Sequence, residues 1–174
     1  HFLYFCDDFF LANKIKVEDF FIEENPVIRG KWTKFYEDIF HKKIKSLFQK
    51  LLKSKKIEYS HTKGLQTVAK KLGFTKYVHI DHTPAALRKC TYVKYFEQNP
   101  EMLNNNIKHR FRHQEQYSIQ SLGNHLEIKN NTFTLKKDYK LVYFQNYKKP
   151  FFWIKFKLAR IEKDKNKLFV CMQS

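Results

Sequence analysis

Apolar positions along this chain change period several times. In residues 31–59, Phe40, Ile44, Leu47, Phe48, Leu51 and Leu52 recur at three- and four-residue spacings, the core stripe of one amphipathic helix that starts after a break at Asn25-Pro26. Residues 64–74 (GLQTVAKKLGF) predict a second helix, with Leu65, Val68, Ala69 and Leu72 apolar and Gly73 as its stop. Thr83-Pro84 reads as an N-cap followed by a proline at the first helical position, opening a helix that runs to about Asn99-Pro100. Residues 101–123 read as helical again, with Leu103, Ile107 and Phe111 as one stripe and Phe111 turned inward. From residue 124 the period falls to two. Leu126 and Ile128, then Phe133 and Leu135, alternate with polar partners, and Asn130-Asn131 between them can take the positive φ values of a tight hairpin turn. At the end, Phe152, Ile154, Phe156 and Leu158 share a face by period two. The Lys163–Asn166 segment then turns the chain into a terminal hairpin.

These elements predict an α+β class: a mainly helical N-terminal two-thirds, then a small helix–helix–hairpin domain and a C-terminal β-hairpin. Three segments follow: an acidic aromatic arm over 1–24, a basic helical subdomain over 25–100, and a small α/β domain over 101–174 that carries the terminal hairpin. In the arm, Phe9, Phe10, Phe20 and Phe21 offer one sticky face, which either packs on the rest of the chain or docks a protein neighbour.

Charge changes this picture most. Lys and Arg number 34 against 17 Asp and Glu, a net of +17. Residues 1–24 hold six acids and two bases, so the remainder carries +21. A folded chain with that excess repels itself unless a polyanion is near. Nucleic acid is the usual partner, because neutralising phosphates releases counterions; an anionic membrane surface is the other. On the first long helix, Lys42, Lys43, Lys45, Lys50, Lys53, Lys55 and Lys56 cover the faces outside the stripe. The 43% apolar content is enough for a core, and it is rich in Phe (18) and Tyr (10) with only 4 Gly and 4 Pro. Phe, Tyr, Lys, Asn and Ile share AT-rich codons, which points to an AT-biased genome such as that of an organelle or of certain protists. No run of about 18 apolar residues suggests a membrane span, and the acidic N-terminus lacks the pattern of a signal or transit peptide.

Candidate chemistry is sparse. The chain has no Gly-rich phosphate loop, no Gly-x-Ser-x-Gly elbow and no His-Glu-x-x-His helix. Three cysteines, Cys6, Cys90 and Cys171, form no CxxC pair, which argues against a disulfide framework and a Cys-rich zinc site. The HIDH string offers His79, Asp81 and His82, with His61 upstream and Cys90 downstream, as metal donors. In an extended segment, however, His79 and Asp81 point away from His82. The acidic pairs Asp7-Asp8, Glu23-Glu24 and Glu37-Asp38 show no sign of converging in a pocket. The expectation is a protein that is not an enzyme, with no cofactor, no metal and no small-molecule substrate.

What remains is a basic, aromatic surface. Residues 108–113 (KHRFRH) carry Lys108, Arg110 and Arg112 with His109 and His113, groups suited to backbone phosphates, with Arg able to bind them bidentately. Residues 102–141 place this string before two short strands and a basic loop at Lys136, Lys137, Tyr139 and Lys140. The outline resembles the small RNA-binding domain of small-subunit ribosomal protein four in its organellar form. Leu103-Asn104-Asn105 and Arg110 match the first helix of that family. Gly123-Asn124-His125 matches the end of the second, Ile128-Lys129-Asn130-Asn131 the turn, and Asp138-Tyr139-Lys140-Leu141 the last segment. Asn104 stands where the family has Asp, Asn131 where it has Gly, the Arg is displaced by about one position, and a later Gly-Asp pair is absent.

The resemblance implies a structural protein of a mitochondrial small ribosomal subunit that binds ribosomal RNA beside neighbouring ribosomal proteins. Lys108, Arg110, Arg112, His113, Asn124, His125, Lys129, Asn130, Asn131, Lys136 and Lys137 would face the RNA, which is read mainly by shape, phosphate and 2′-hydroxyl contacts. Three readings compete with it. One is a winged-helix-like DNA-binding module, with RGKWTK (29–34) resembling the start of a Myb repeat. Another is a scaffold subunit of a mitochondrial respiratory complex. The last is a chromatin-reading domain, because residues 133–167 resemble a bromo-adjacent homology domain in outline.

Overall fold

The structure, a computed structural model, describes residues 1–39, 61–111, 113, 115–144 and 149–173. The chain forms two compact units, each assembled from separated stretches. The first joins residues 1–30, 80–88 and 132–174, and the second joins 31–79 and 89–131.

The first unit is built from short strands. β1 (Phe2–Tyr4) pairs antiparallel with β6 (Ala85–Leu87). β9 (Phe169–Met172) is the centre of a three-stranded sheet, with β2 (Phe9–Leu11) antiparallel on one side and β8 (Leu141–Phe144) parallel on the other. β3 (Phe21–Ile22) turns into β4 (Asn25–Lys34) through Glu23 and Glu24, whose φ values are 49° and 64°. Two successive left-handed residues give the hairpin turn whose twist matches that of strands, although Asn-Gly is the usual carrier. β7 (Thr134–Lys136) lies parallel to β4, with Val27 opposite Thr134. The acidic aromatic segment 1–24 thus supplies β1, β2 and β3.

One core cluster of this unit joins Phe20, Ala86, Leu168 and Phe169. A second joins Val142, Phe144 and Val170 to Trp153, Ile154 and Ile161 of α5 (Phe151–Lys163). The expected terminal hairpin is therefore not formed: only its last stretch is a strand. The alternation of Phe152, Ile154, Phe156 and Leu158 concealed a second pattern. Trp153, Ile154, Lys157 and Ile161 follow helical spacing, and this is the face the unit uses. Phe152 and Phe156 stay exposed. The expected turn after residue 163 does form, with the Asn166 amide donating to Asp164 Oδ1 at 3.0 Å.

The second unit is mainly helical. α1 (His61–Lys71) buries Leu65, Val68 and Ala69 completely, as its stripe predicts. It ends at Gly73, whose φ is +84° and beside which an added Cβ would meet nothing within 4 Å. The cost of Gly73→Ala is then conformational alone. A loss of about 1 kcal/mol in urea-induced unfolding is expected, and an unchanged midpoint would contradict it. α2 (Lys89–Gln98), α3 (Pro100–Ile107) and α4 (Ile119–Lys129) surround a core of Val68, Met102, Tyr117, Leu122 and Leu126. β5 (Lys76–Ile80) follows β4 in the strand order β3-β4-β5.

The expected fold class is overturned in its first part. Among the described residues, six of the nine strands precede residue 88, so the N-terminal two-thirds is not mainly helical. Lys31–Lys34 end β4 and Tyr36–Asp38 form a 3-10 turn, where the long helix was expected to begin. Its stripe from Phe40 to Leu52 and its lysines from Lys42 to Lys56 lie outside the described residues. Pro84 leads into β6 rather than a helix, which starts only at Lys89.

The helix–helix–hairpin outline also fails. Leu126 and Ile128 belong to α4, and Asn131, with φ 55°, follows its C-cap instead of forming a hairpin turn. The Ser118 hydroxyl caps this helix by accepting from the Ser121 amide at 3.2 Å. Leu122 and Leu126, four residues apart, bury one side of it, and this packing outweighs the short alternation. No described helix is long and apolar enough to cross a membrane.

Candidate nucleic-acid interface

Among the described residues the positive charge is shared almost evenly: the second unit carries 11 Lys and Arg against six Asp and Glu, and the first carries 14 against ten. Among the same residues, each unit presents a surface where cations and aromatic rings meet.

In the second unit this is the loop after α3. The helix ends at Ile107, so Phe111 leaves the stripe that Leu103 and Ile107 begin. Phe111 is 76% exposed rather than turned inward, and Arg110 holds its guanidinium 5.4 Å from the ring centre. The loop is tied down from behind. Gln116 accepts the His113 amide (2.8 Å) and donates to the Asn106 carbonyl (2.9 Å). Asn106 accepts the Tyr117 amide (2.9 Å), and the Tyr117 hydroxyl donates to the Met102 carbonyl (2.9 Å). Phe111 is thus presented on an anchored loop.

Beside it the rings of His109 and His113 stack at 3.9 Å. The Glu115 carboxylate lies 3.3 Å from Lys108 Nζ and 3.3 Å from the buried His109 Nε2, which makes no aligned hydrogen bond. The Lys108 hydrogen bond and charge, with the two imidazoles, hold Glu115 below the ordinary carboxylate range. Lys108 is therefore engaged locally, while Arg110 is exposed on this loop. Arg112 lies outside the described residues.

In the first unit a cavity of about 520 Å³ opens beside α5 and β8. Lys149, Lys157, Arg160 and Lys167 line it with Tyr143 and Trp153, and no carboxylate is among the described lining residues. Trp153, Lys157 and Arg160 fall at i, i+4 and i+7, so one helix face aims all three into the cavity. Lys157 Nζ sits 4.0 Å from the Trp153 ring centre and donates to the Tyr143 carbonyl. Burial, and then the Arg160 charge, push the Lys157 ammonium below its ordinary pKa. Lys167 has Asp164 as a distant partner at 4.0 Å. Cations that repel one another around an aromatic wall suit an anionic, planar ligand, and the volume suits a nucleotide-sized group. The sequence signal was present in WIKFKLAR, but the period-two reading of the segment hid it.

The other residues expected at the RNA divide between the units. Lys129, Asn130 and Asn131 are exposed at the end of α4. Lys136 is half-buried in β7 and Lys137 is exposed, both in the first unit. Asn124 and His125 are corrections: they are 4% and 0% exposed inside α4 and cannot reach a ligand. His125 Nε2 accepts the Val78 amide at 3.1 Å. The donors considered around HIDH are also divided. His79 and the exposed Cys90 belong to the second unit and Asp81 and His82 to the first, and the His61 side chain lies outside the described residues.

Comparison with protein-family models and with curated proteins finds no match.

Proposed function

We propose that this chain is a non-catalytic RNA-binding protein. A mitochondrial small ribosomal subunit is the assembly in which to seek it first, with ribosomal RNA and neighbouring ribosomal proteins as partners. The observation that carries the RNA reading is the cavity beside α5, where four cations converge around the Trp153 ring with no carboxylate among the described lining residues. Such a wall neutralises phosphate and stacks a base without reading its hydrogen-bonding edge, the mode of sequence-tolerant single-strand binding. The exposed Phe111 beside Arg110 repeats the same chemistry on the second unit. The ribosomal setting rests on the residue matches over 102–141, which no longer include a hairpin.

The chain has two tryptophans, so a Trp32→Phe background leaves Trp153 as the reporter. Titration with a single-stranded RNA is expected to quench it, with affinity falling linearly in log salt. Arg160→Ala is expected to weaken binding to all sequences alike and to lower the salt slope by about 1. Phe111→Ala is expected to cost about 1–3 kcal/mol, the contribution of one stacked base, with little change in that slope. Sequence-selective binding of duplex DNA, or no RNA binding at low salt, would overturn the reading. Co-sedimentation with small ribosomal subunits that is lost on ribonuclease treatment tests the setting separately.

A further inference from the structure

Away from the basic surfaces, the first unit gathers a thiol, an imidazole and a carboxylate from three distant parts of the sequence. Asp8 lies in the turn between β1 and β2, His82 follows β5, and Cys171 is in β9. One potential ligand atom from each lies within 4.8 Å of the other two.

The sheet register explains the meeting. Phe9 of β2 and Tyr143 of β8 both pair with Cys171 across the central strand. The Met172 amide donates to the Asp8 carbonyl at 3.0 Å, which fixes Asp8 beside Cys171. The Cys171 thiol donates to Asp8 Oδ2 at 3.3 Å. The His82 ring stacks on Tyr143 at 4.9 Å and meets Phe9 edge-on at 6.4 Å, so the two cross-strand neighbours of Cys171 also clamp the imidazole. The His82 amide is held in turn by Asp81 Oδ1 at 2.9 Å. Cys171 is fully buried, while Asp8 and His82 are half-buried.

We propose that Asp8, His82 and Cys171 bind one divalent cation of the zinc class, with solvent in the fourth position. A sulfur, a nitrogen and an oxygen donor form a ligand set that borderline-soft ions accept in tetrahedral geometry. With metal–ligand bonds of roughly 2.0–2.3 Å, donors spaced as these are need only a small closure around the ion.

Burial, and then the Asp8 carboxylate, push the Cys171 thiol up to about 12, with Asp81 adding to the effect. Without a cation the proton therefore stays on sulfur. Binding replaces that proton: the S–H bond breaks, the sulfur pair goes to the metal and one proton leaves to solvent, with no change of oxidation state. A nucleophilic Cys–His pair is a poorer use of these groups, because the thiol faces a carboxylate and is sealed from solvent. The separation of positions 8, 82 and 171 explains why no metal motif was visible in the sequence.

Cobalt(II) is the probe, added to the full chain after chelator treatment. The expected result is one ion per chain, a thiolate-to-cobalt charge-transfer band, visible absorption of tetrahedral intensity and release of about one proton per ion. Cys171→Ala should lose the charge-transfer band, and Cys90→Ser, which removes the exposed thiol, should keep it. His82→Gln and Asp8→Asn leave the thiol in place and decide the matter if Cys171→Ala fails to fold. Each should weaken cobalt binding at least about tenfold, the lower end of what even an outer-sphere partner costs, with an unchanged far-ultraviolet circular dichroism spectrum. Absence of the band, its survival in Cys171→Ala with loss in Cys90→Ser, or unchanged affinity in both His82→Gln and Asp8→Asn would overturn the proposal.

Discussion

Removing both carboxylates that face Arg29, in an Asp19→Asn, Asp138→Asn double variant, is expected to destabilise the first unit by about 3 kcal/mol or more. The Arg29 side chain is 3% exposed. It donates to Asp138 Oδ1 at 3.0 Å and to the Asp138 and Asp19 carbonyls at 3.3 and 3.0 Å, with the Asp19 carboxylate 3.9 Å away. Lys140 completes the group, 3.0 Å from Asp19 Oδ1. A guanidinium stays charged at any pH a protein survives, so without its counter-ions a full charge is left desolvated. Asn keeps the size and an acceptor oxygen, which isolates the charge.

The two carboxylates are not equal. Asp138 is 62% exposed and Asp19 only 15%, so Asp138→Asn alone should cost under about 1 kcal/mol. Adding Arg29→Met to the double variant should recover part of the loss, because it removes the orphaned charge. Urea unfolding of the four chains measures this, and a double variant no worse than Asp138→Asn would refute it. Acid acts in the same direction. Burial alone would raise Asp19, but the Lys16 amide, Lys140 and Arg29 together hold it below its ordinary value. Its contribution is therefore present above the usual carboxylate pKa and lost as pH falls through the depressed one.

Arg29 also shows where sequence reading stops. RGKWTK read as the start of a Myb repeat, with a helix from Lys31, yet its first residue is the buried cation of a strand. Nothing local announces that Asp19 and Asp138, 10 and 109 positions away, supply its partners. Elements with a complete local signal were legible. In α1 four apolar positions at helical spacing and a stop glycine settled the outcome, and Asn99-Pro100 marked where α3 begins. Segments that fit two periods were not. PFFWIKFKLAR satisfies both two and 3.6, and the sheet chose the helical face by receiving Trp153, Ile154 and Ile161. LEIK fits a strand only if Leu122 is ignored. At the candidate interface, the charge of KHRFRH was plain, but the direction of Phe111 depended on where α3 stops. The stop is fixed by Asn106 and Gln116, whose hydrogen bonds span the loop.

The second unit should lose stability on mild acidification, and His125 should be the cause. Its ring is completely buried, and its two nitrogens have opposite duties. Nδ1 lies 2.8 Å from the Ser121 carbonyl and must donate, while Nε2 accepts the Val78 amide. Only the neutral ring satisfies both. A second proton would set N–H against N–H between α4 and β5. Burial accordingly lowers the His125 pKa from 6.5, against the opposing pull of the Ser121 carbonyl. The unfolded chain then binds the proton more readily than the folded one. Stability is complete above about 6.5 and falls as pH drops towards the depressed value, by up to about 1.4 kcal/mol per pH unit. His125→Phe keeps a buried aromatic ring but strands the Val78 amide, at about 1–3 kcal/mol, and should remove this contribution to the pH dependence. His125→Ala adds a cavity beneath the Phe74 ring, which meets His125 at 5.2 Å, and should cost about 3–5 kcal/mol. Unfolding of the three chains followed from pH 7.5 to 5 separates the terms. If His125→Phe retains the full acid sensitivity of the parent chain, the proton goes elsewhere and the assignment to His125 is wrong.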